Sequence, residues 1–388
     1  MSDIETTRVH NEQGVLVHQH SMRHNTLHGP SLDYSPEGKL IKSEHYQEGA
    51  LHGPYLLYSD DGAQLLEEGH YEHGKRHGLF RWYFRSSQIA HEPHVQEERT
   101  YAHDQPEAEW REFFDNGDLR CVVTYQNGRL DGPRRYFRKY GELEWEELLR
   151  PDPHDSSVSL REGVYREYHD NGALKVYGEY QAGMRHGVYR TYHENGRLSE
   201  EYFYRHDQLD PTAVHRTFYV TGILKSESCR GEGVDQGYEE AYYPDGSLIF
   251  RRGFKNTDSD GVWERYDTSG RCVWKQTYQD GLLSGEERTY FDEGMLESLV
   301  EWKMGRKLRE VHYYRNGNLR SEEDHDPELV RFKTYAPGGG LLVEGGYLPN
   351  RRDPPCYQGP MTRYGENGDV TDIVYWANGK LYVKSELK

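Results

Sequence analysis

The sequence predicts an all-β protein, an elongated single-layer antiparallel β-meander solenoid of tandem β-hairpins, each about 24 residues long. Turn glycines recur at an even spacing along most of the chain, as at Gly14, Gly38 and Gly62. Asn-Gly and Asp-Gly pairs, which favour tight hairpin turns, coincide with many of these glycines. Tyrosine accounts for 33 of the 388 residues, and its ring and hydroxyl suit the half-wet surface of a thin sheet.

Two series of glycines define the repeat. The first series consists of Gly14, Gly38, Gly62, Gly117, Gly141, Gly172, Gly196, Gly222, Gly246, Gly270, Gly294, Gly317 and Gly368. An apolar residue, most often leucine, stands two positions after most of them. The second series falls between members of the first, with an aromatic residue five positions further on, and includes Gly29, Gly53, Gly132, Gly187, Gly237, Gly261 and Gly285. Each unit therefore consists of two antiparallel strands joined by glycine-bearing turns.

Turn chemistry and alternation predict the geometry of one unit. Pairs such as Asn171-Gly172 predict type I′ turns between repeats, because both central residues of that turn need positive φ. Successive side chains of a strand point to opposite faces. Val188, Arg190 and Tyr192 therefore share one face, which we expect to be the packed side, and Tyr189 lies on the other.

The repeats run over residues 11–383, between an N-terminal tail of residues 1–10 and a C-terminal tail of residues 384–388. The pattern is interrupted near residues 85–110, 146–161, 205–213, 322–330 and 348–357. Insertions in repeat arrays form loops on one face. We interpret these segments as surface loops. The alternative is that one or more of them binds a partner.

Charge and cysteine usage indicate where the protein acts. The net charge of −18 opposes nonspecific binding to nucleic acid and anionic membranes and favours a basic partner. Four cysteines lie far apart without a Cys-x-x-Cys pair, which indicates a reducing compartment. Because the N-terminus also lacks an apolar signal core, we predict a cytoplasmic location.

The motifs of common enzymes and metal sites do not occur. The sequence contains neither Gly-x-Ser-x-Gly nor a phosphate-binding loop. His28, His52, His77 and His186 repeat at one turn position, so their copies are expected a repeat or more apart, too far to share an ion. The segment 91–94 lacks the i,i+4 histidine spacing of a zinc helix. We therefore expect no catalytic residue, no cofactor, no metal site and no enzymatic activity.

Arginine recurs three positions after the second glycine, close to aromatic residues. The residues that we predict to bind a partner are Arg135, Arg166, Arg190, Tyr165, Tyr189 and Trp263. Arginine, tyrosine and tryptophan dominate the energetics of protein interfaces. The alternative role for the arginines is cross-strand pairing with neighbouring glutamates.

The repeat unit resembles the bacterial variant of the MORN repeat. It reads Asn-Gly-x-Leu, a glutamate near mid-strand, Tyr-x-x-Gly-x-x-x-Gly and an aromatic-ended strand, with good copies at 171–193, 36–59 and 245–266. The resemblance covers roughly residues 11–383 and extends to antitoxins of the YwqK type. It implies a protein that neutralises a partner toxin. The alternatives are an assembly scaffold, which can self-associate, and a phospholipid-surface binder, which the charge disfavours.

Overall fold

The computed structural model describes residues 4–85, 94–155, 157–349 and 355–382. Within these ranges the chain forms 38 strands of one antiparallel sheet, and each strand pairs with strands close to it in chain order. The predicted all-β meander of hairpins is confirmed. The described residues contain no helix, and so none with the length and apolar character needed to cross a membrane.

The strands fall into two units. The first contains the described residues up to Gly196 together with Tyr204–Gln208. Its strands are β1 (Glu5–His10), β2 (Leu16–Arg23), β3 (Thr26–Tyr34), β4 (Leu40–Gln47), β5 (Ala50–Leu51), β6 (Gly53–Tyr58), β7 (Leu65–Glu72), β8 (Lys75–Arg76), β9 (Gly78–Tyr83), β10 (Val95–Ala102), β11 (Gln105–Phe113), β12 (Leu119–Gln126), β13 (Arg129–Phe137), β14 (Leu143–Pro151), β15 (Ser159–Arg161), β16 (Gly163–Tyr168), β17 (Leu174–Gln181) and β18 (Met184–Tyr192).

The second unit contains Arg197–Phe203 and the described residues from Leu209 onward. The remaining strands are β19 (Leu198–Arg205, of which 198–203 belong to this unit), β20 (Gln208–Leu209), β21 (His215–Phe218), β22 (Leu224–Cys229), β23 (Gly237–Tyr242), β24 (Leu248–Lys255), β25 (Asp258–Ser259), β26 (Gly261–Tyr266), β27 (Cys272–Gln279), β28 (Leu282–Leu283), β29 (Gly285–Tyr290), β30 (Leu296–Lys303), β31 (Arg306–Tyr313), β32 (Leu319–His325), β33 (Val330–Tyr335), β34 (Leu341–Leu348), β35 (Cys356–Tyr357), β36 (Gly359–Tyr364), β37 (Val370–Ala377) and β38 (Lys380–Tyr382).

The Asn-Gly turns between repeats, at the first series of glycines, are not of type I′, so that prediction is wrong. Of the pair Asn171-Gly172, only the glycine has positive φ, at +80°. The N–H of His169 donates to the carbonyl of Ala173 at 2.8 Å and closes a longer turn, and the Asn171 side chain accepts from the N–H of Ala173 at 3.0 Å. The two-residue turn with positive φ at both positions is the other connection, as at Ala182-Gly183, with φ of 49° and 81°.

These two-residue turns are hydrogen bonded to the preceding hairpin. The N–H of Gly183 donates to the carbonyl of Arg161 at 2.9 Å, and the N–H of Ala182 donates to the Glu162 carboxylate at 2.9 Å. The same bond links Gly74 to Leu51 and Gly281 to Ser259. Alanine rarely adopts positive φ, so the bonds to the previous repeat support a turn that its sequence alone does not predict.

The packed face is opposite to the predicted one. Leu79 and Val262 occupy the same position in their strands as Val188 does in its own, and both are 39% exposed. Phe80, the residue after Leu79, is completely buried. An aromatic residue at the end of a strand does not mark the packed face. At Tyr266 the hydroxyl donates to Glu264 at 2.9 Å, so that ring lies on the polar face. Alternation separates two faces but does not say which one is packed.

The predicted tail and the first interruption are largely part of the sheet. Glu5–His10, assigned to the tail of residues 1–10, forms β1 and pairs with β2. Within 85–110, residues 95–102 form β10 and residues 105–110 begin β11, while 86–93 lie outside the described residues. Polar strands suit a sheet whose two faces both meet water, so low hydrophobicity did not mark a loop here.

The other interruptions are also narrower than their sequence pattern indicates. Their described residues outside strands are 152–155, 157–158, 206–207, 210–213, 326–329, 349 and 355. Residue 156, residues 350–354 and the tail of residues 384–388 lie outside the described part of the chain. The breaks are therefore short connections between paired strands.

Candidate protein-binding faces of the sheet

Each unit presents two chemically different faces. We call the aromatic face the one that carries the residue two positions after the second glycine, which is Tyr55, Phe80, Tyr165, Tyr189 or Trp263. We call the charge face the opposite one, which carries the next residue, as at Arg81, Arg135, Arg166, Arg190 and Glu264. Consecutive residues of a strand point to opposite sides, so the six residues predicted to bind a partner divide between two faces.

A continuous row of rings runs along the aromatic face of the first unit. Neighbouring ring centroids are 4.3–5.6 Å apart along the row Tyr55, Tyr71, Phe80, Tyr101, Trp110 and Tyr125. All five contacts are edge-on or tilted rather than face to face, as aromatic pairs prefer. Phe80 and Tyr101 are buried, so this row forms the core of a sheet that has a single layer.

Arginines lie between the rings. The guanidinium of Arg161 is 4.4 Å from the ring centroid of Tyr165 and 4.5 Å from that of Tyr180. Arg185 lies 4.1 Å from the centroid of Tyr204. Cation–π stacking of this kind holds the arginine in one orientation while its edge stays available for hydrogen bonds.

One carboxylate is buried among these arginines. The Glu147 side chain is 1% exposed and forms ion pairs with Arg134 and with Arg161, the latter at 2.5 Å. The Arg134 guanidinium also lies 5.3 Å from the centroid of the Trp145 ring. Two guanidinium groups therefore compensate the charge of one buried carboxylate.

Tyr165 and Tyr189 lie on this face, with glycine between them. Gly178 is the register partner of both tyrosines, and a Cβ at that position would lie 3.0 Å from the Tyr189 ring. The rings of Tyr180 and Tyr189 thus lie next to a strand position that has no side chain. Burial is the main cause that raises the pKa of both phenols.

The three predicted arginines lie on the charge face, where Arg135 and Arg166 pair with glutamate. Arg135 and Arg166 both contact the Glu146 carboxylate, at 3.6 and 2.9 Å. Arg190 is the register partner of Tyr177, which is also the partner of Arg166. The alternative of cross-strand pairing is therefore confirmed for Arg135 and Arg166, and the three arginines do not share a face with the tyrosines.

Trp263 has an equivalent environment in the second unit. Its ring lies 5.5 Å from Phe254 and 4.7 Å from Tyr278, between centroids, and Arg252 is 5.1 Å from its centroid. The indole N–H donates to the carbonyl of Gly253 at 2.9 Å. It therefore belongs to an aromatic and arginine cluster like those of the first unit.

Sequence reasoning missed the arginines of the aromatic face, although a signal for them exists. Arg76, Arg161 and Arg185 all stand two positions before a second glycine. Each one stacks on a tyrosine, and Arg76 lies 4.1 Å from the Tyr101 centroid. By contrast, Glu147 has no such periodic signal, because only the pairing of β13, β14 and β15 brings its two arginines to it.

The raised pKa values of several tyrosine phenols predict that the folded state loses stability at alkaline pH. Burial and nearby carboxylates raise the pKa of Tyr55, Tyr83 and Tyr266 to about 12, against an ordinary value near 10. The folded state therefore binds these protons more tightly, and its stabilisation is complete below pH 10 and lost as pH rises through about 12. We expect the urea midpoint to fall across this window, together with the rise of tyrosinate absorbance.

Removal of single phenols is the control for this titration. Tyr83→Phe and Tyr266→Phe each remove one titrating group, so the pH slope should be shallower in the double variant than in the parent protein. Tyrosinates that form near pH 10 while the β-sheet circular dichroism stays unchanged would contradict the prediction.

Two groups of side chains in the described residues have the arrangement of metal ligands, although the sequence predicted none. They are Glu72 with His77 and His103, and Glu310 with Glu323 and His325, and in each group one ligand atom per residue lies within 4.8 Å of the others. His77 and His103 belong to adjacent turns, with ring centroids 4.8 Å apart. His103 is not one of the repeated turn histidines, so this group does not test the expectation that those histidines lie too far apart to share an ion.

Strand pairing, turn geometry and the repeated aromatic positions define a β-hairpin repeat protein. Residues 106–127, 161–182 and 185–206 match the family described as MORN repeat variant. The chain therefore contains repeats of the MORN type, which confirms that part of the resemblance. The first match begins inside the segment that the sequence pattern marked as an interruption.

Solved structures with some likeness to this chain have low sequence identity to it. One is from a Photorhabdus luminescens Tc holotoxin pore, with 13% identity, a TM-score of 0.16 and coverage of 97% of this chain and 25% of that chain. Another, titled TcdB2-TccC3-Cdc42, has 11% identity, a TM-score of 0.16 and coverage of 97% and 26%. This chain spans about a quarter of those chains, and TM-scores this low do not establish a common fold. No curated protein matches the chain significantly.

Proposed function

We propose that this chain is a non-enzymatic binding protein that neutralises a partner protein, in the manner of an antitoxin or immunity protein. The aromatic face carries this proposal. It combines half-buried tyrosine and tryptophan rings with stacked arginines, the residue types that dominate binding hot spots. Because the arginines are already ordered by rings and ion pairs, binding costs little further side-chain entropy.

Charge selects the kind of partner. With 66 acidic and 48 basic residues, the chain attracts a basic protein and steers its approach, which fits a toxin that itself acts on an acidic substrate such as nucleic acid. The four cysteines are free, and this fits a cytoplasmic location for the encounter.

The test is binding to the product of the adjacent gene. We expect a complex of the two purified proteins, and rescue of growth when both genes are expressed together. Replacing Tyr189 and Arg185 by alanine should weaken the complex by about 30-fold or more, the effect of losing about 2 kcal/mol at a hot spot.

The matched control lies on the opposite face. The double variant Arg135→Ala and Arg166→Ala removes the same type of charged group from the charge face, and we expect less than about a threefold change in Kd because rim-like exposed pairs contribute little. Equal losses for the two double variants would place binding elsewhere, and absence of both complex and rescue would exclude the neutralising role for that partner.

Self-association is the second candidate, and the edge strand β1 favours it. All six residues of Glu5–His10 are exposed, and within the described residues β1 pairs only with β2. An exposed edge can accept a strand from another molecule. In the same experiment, light scattering that shows a complex of this chain with itself alone would support the scaffold role instead.

A further inference from the structure

Two glutamates face each other directly in the second unit. Glu310 of β31 and Glu323 of β32 are register partners in the antiparallel ladder. Like charges at directly opposite positions destabilise a sheet. Their row also includes Val300, which is 6% exposed, and Phe332, so the carboxylates lie in half-buried surroundings, with side chains 22% and 33% exposed.

The charges that surround the two carboxylates do not balance them. The Lys307 ammonium lies 2.6 Å from Glu310 Oε2. On Glu323, the described hydrogen bond comes from the Tyr347 hydroxyl, at 2.7 Å from Oε2. Glu147 in the first unit has two arginines for one carboxylate, whereas here two carboxylates share one lysine.

A histidine nitrogen is directed at both carboxylates without a hydrogen bond. His325 follows Glu323 by two residues, so both lie on the same face of β32. Its Nε2 is buried and has no hydrogen-bond partner, at 3.5 Å from Glu323 Oε2 and 3.9 Å from Glu310 Oε2. A histidine nitrogen in this position can serve as a metal ligand.

We propose that Glu310, Glu323 and His325 form a binding site for a divalent transition metal of the zinc type. One nitrogen and two carboxylate oxygens within 4.8 Å of one another are a donor set for Zn²⁺ that leaves coordination positions for water or a further ligand. The ion supplies the positive charge that the paired glutamates lack, and it replaces Lys307 as the partner of Glu310 Oε2.

Neighbouring side chains orient these ligands. His312 Nε2 lies 3.0 Å from Glu310 Oε1, the oxygen not directed at His325, and Tyr347 holds Glu323. Such outer partners fix the ligand orientation in metal sites. A cleft of about 280 Å³, lined by Glu310, His312, Arg320, Ser321 and Glu323, opens onto the two carboxylates.

The test is metal titration of the full chain. We expect calorimetry with ZnCl₂ to show a binding site. Its affinity for Zn²⁺ should fall by about 10–100-fold or more in His325→Ala, and similarly in Glu323→Gln, because loss of an outer partner alone costs that much. Tyr347→Phe should weaken binding by about 10–100-fold without removing the site. With Co²⁺ as probe, the visible absorption of the bound ion should vanish in His325→Ala.

His103→Ala is the matched control, because it disrupts the other histidine and glutamate group, in which His103 is exposed. We expect it to leave the site at His325 unchanged. Circular dichroism of each variant separates loss of a ligand from loss of the fold, and Glu323→Gln keeps side-chain volume. Zn²⁺ binding that is absent in the parent protein, unaffected by His325→Ala and Glu323→Gln, or removed by His103→Ala would overturn the proposal.

Discussion

Replacement of Glu147 by glutamine is expected to destabilise the first unit by about 3 kcal/mol, because loss of one member of a buried ion pair leaves its partners uncompensated. The Glu147 side chain is 1% exposed and is shared by Arg134 and Arg161. Both guanidinium groups would remain among aromatic rings without a counter-charge. Urea unfolding and hydrogen exchange of β13–β16 should both report the loss.

Glu146→Gln is the matched control for this substitution. Glu146 is the preceding residue on the same strand, but it lies on the charge face, where its partners Arg135 and Arg166 are 46% and 42% exposed. Exposed ion pairs contribute about 0–1 kcal/mol, so this variant should lose no more than that. Similar losses in the two variants would show that burial of Glu147 has no special energetic weight.

Phe80→Ala is expected to cost about 3–5 kcal/mol, the usual range for removing a fully buried phenylalanine. Phe80 is 0% exposed and contacts the rings of Tyr71 and Tyr101, with centroids 5.4 and 5.6 Å away. It also covers Gly69, where any Cβ would overlap the Phe80 ring. The measurement is the urea midpoint followed by circular dichroism.

The adjacent residue provides the control for Phe80. Leu79 precedes it on β9, lies on the charge face and is 39% exposed, so Leu79→Ala should cost clearly less than Phe80→Ala. A second variant, Gly69→Ala, should also destabilise, because the added methyl group displaces the ring. Equal costs for Leu79→Ala and Phe80→Ala would refute the assignment of the packed face.

The fold was predictable because turn glycines and strand lengths recur in the sequence itself. The assignment of the packed face was not, since alternation fixes which residues share a face but not which of the two faces is packed. The type I′ turn also lies at the other connection of the repeat, because the dipeptide alone does not decide which turn forms. Asn171-Gly172 has the stronger dipeptide signal, yet the two-residue turn at Ala182-Gly183 is supported by hydrogen bonds from the previous hairpin.

The candidate sites depend on register, and the sequence does not specify register in advance. Stacked arginines such as Arg161 occupy a repeated position and were detectable in principle. The pairing of Glu310 with Glu323 and the approach of His77 to His103 require the alignment of two strands or two turns. A one-residue slip between β31 and β32 would place Glu310 and Glu323 on opposite faces.

Pairing between strands close in chain order also allows this protein to fold while it is being translated. Tyr177 and Arg190, for example, are register partners within the single hairpin of β17 and β18, so little chain separates them. Contacts of short sequence separation form early, so each hairpin leaving the ribosome meets a partner that has already been made. A β-protein with this connectivity need not wait for its C-terminus before its first strands are paired.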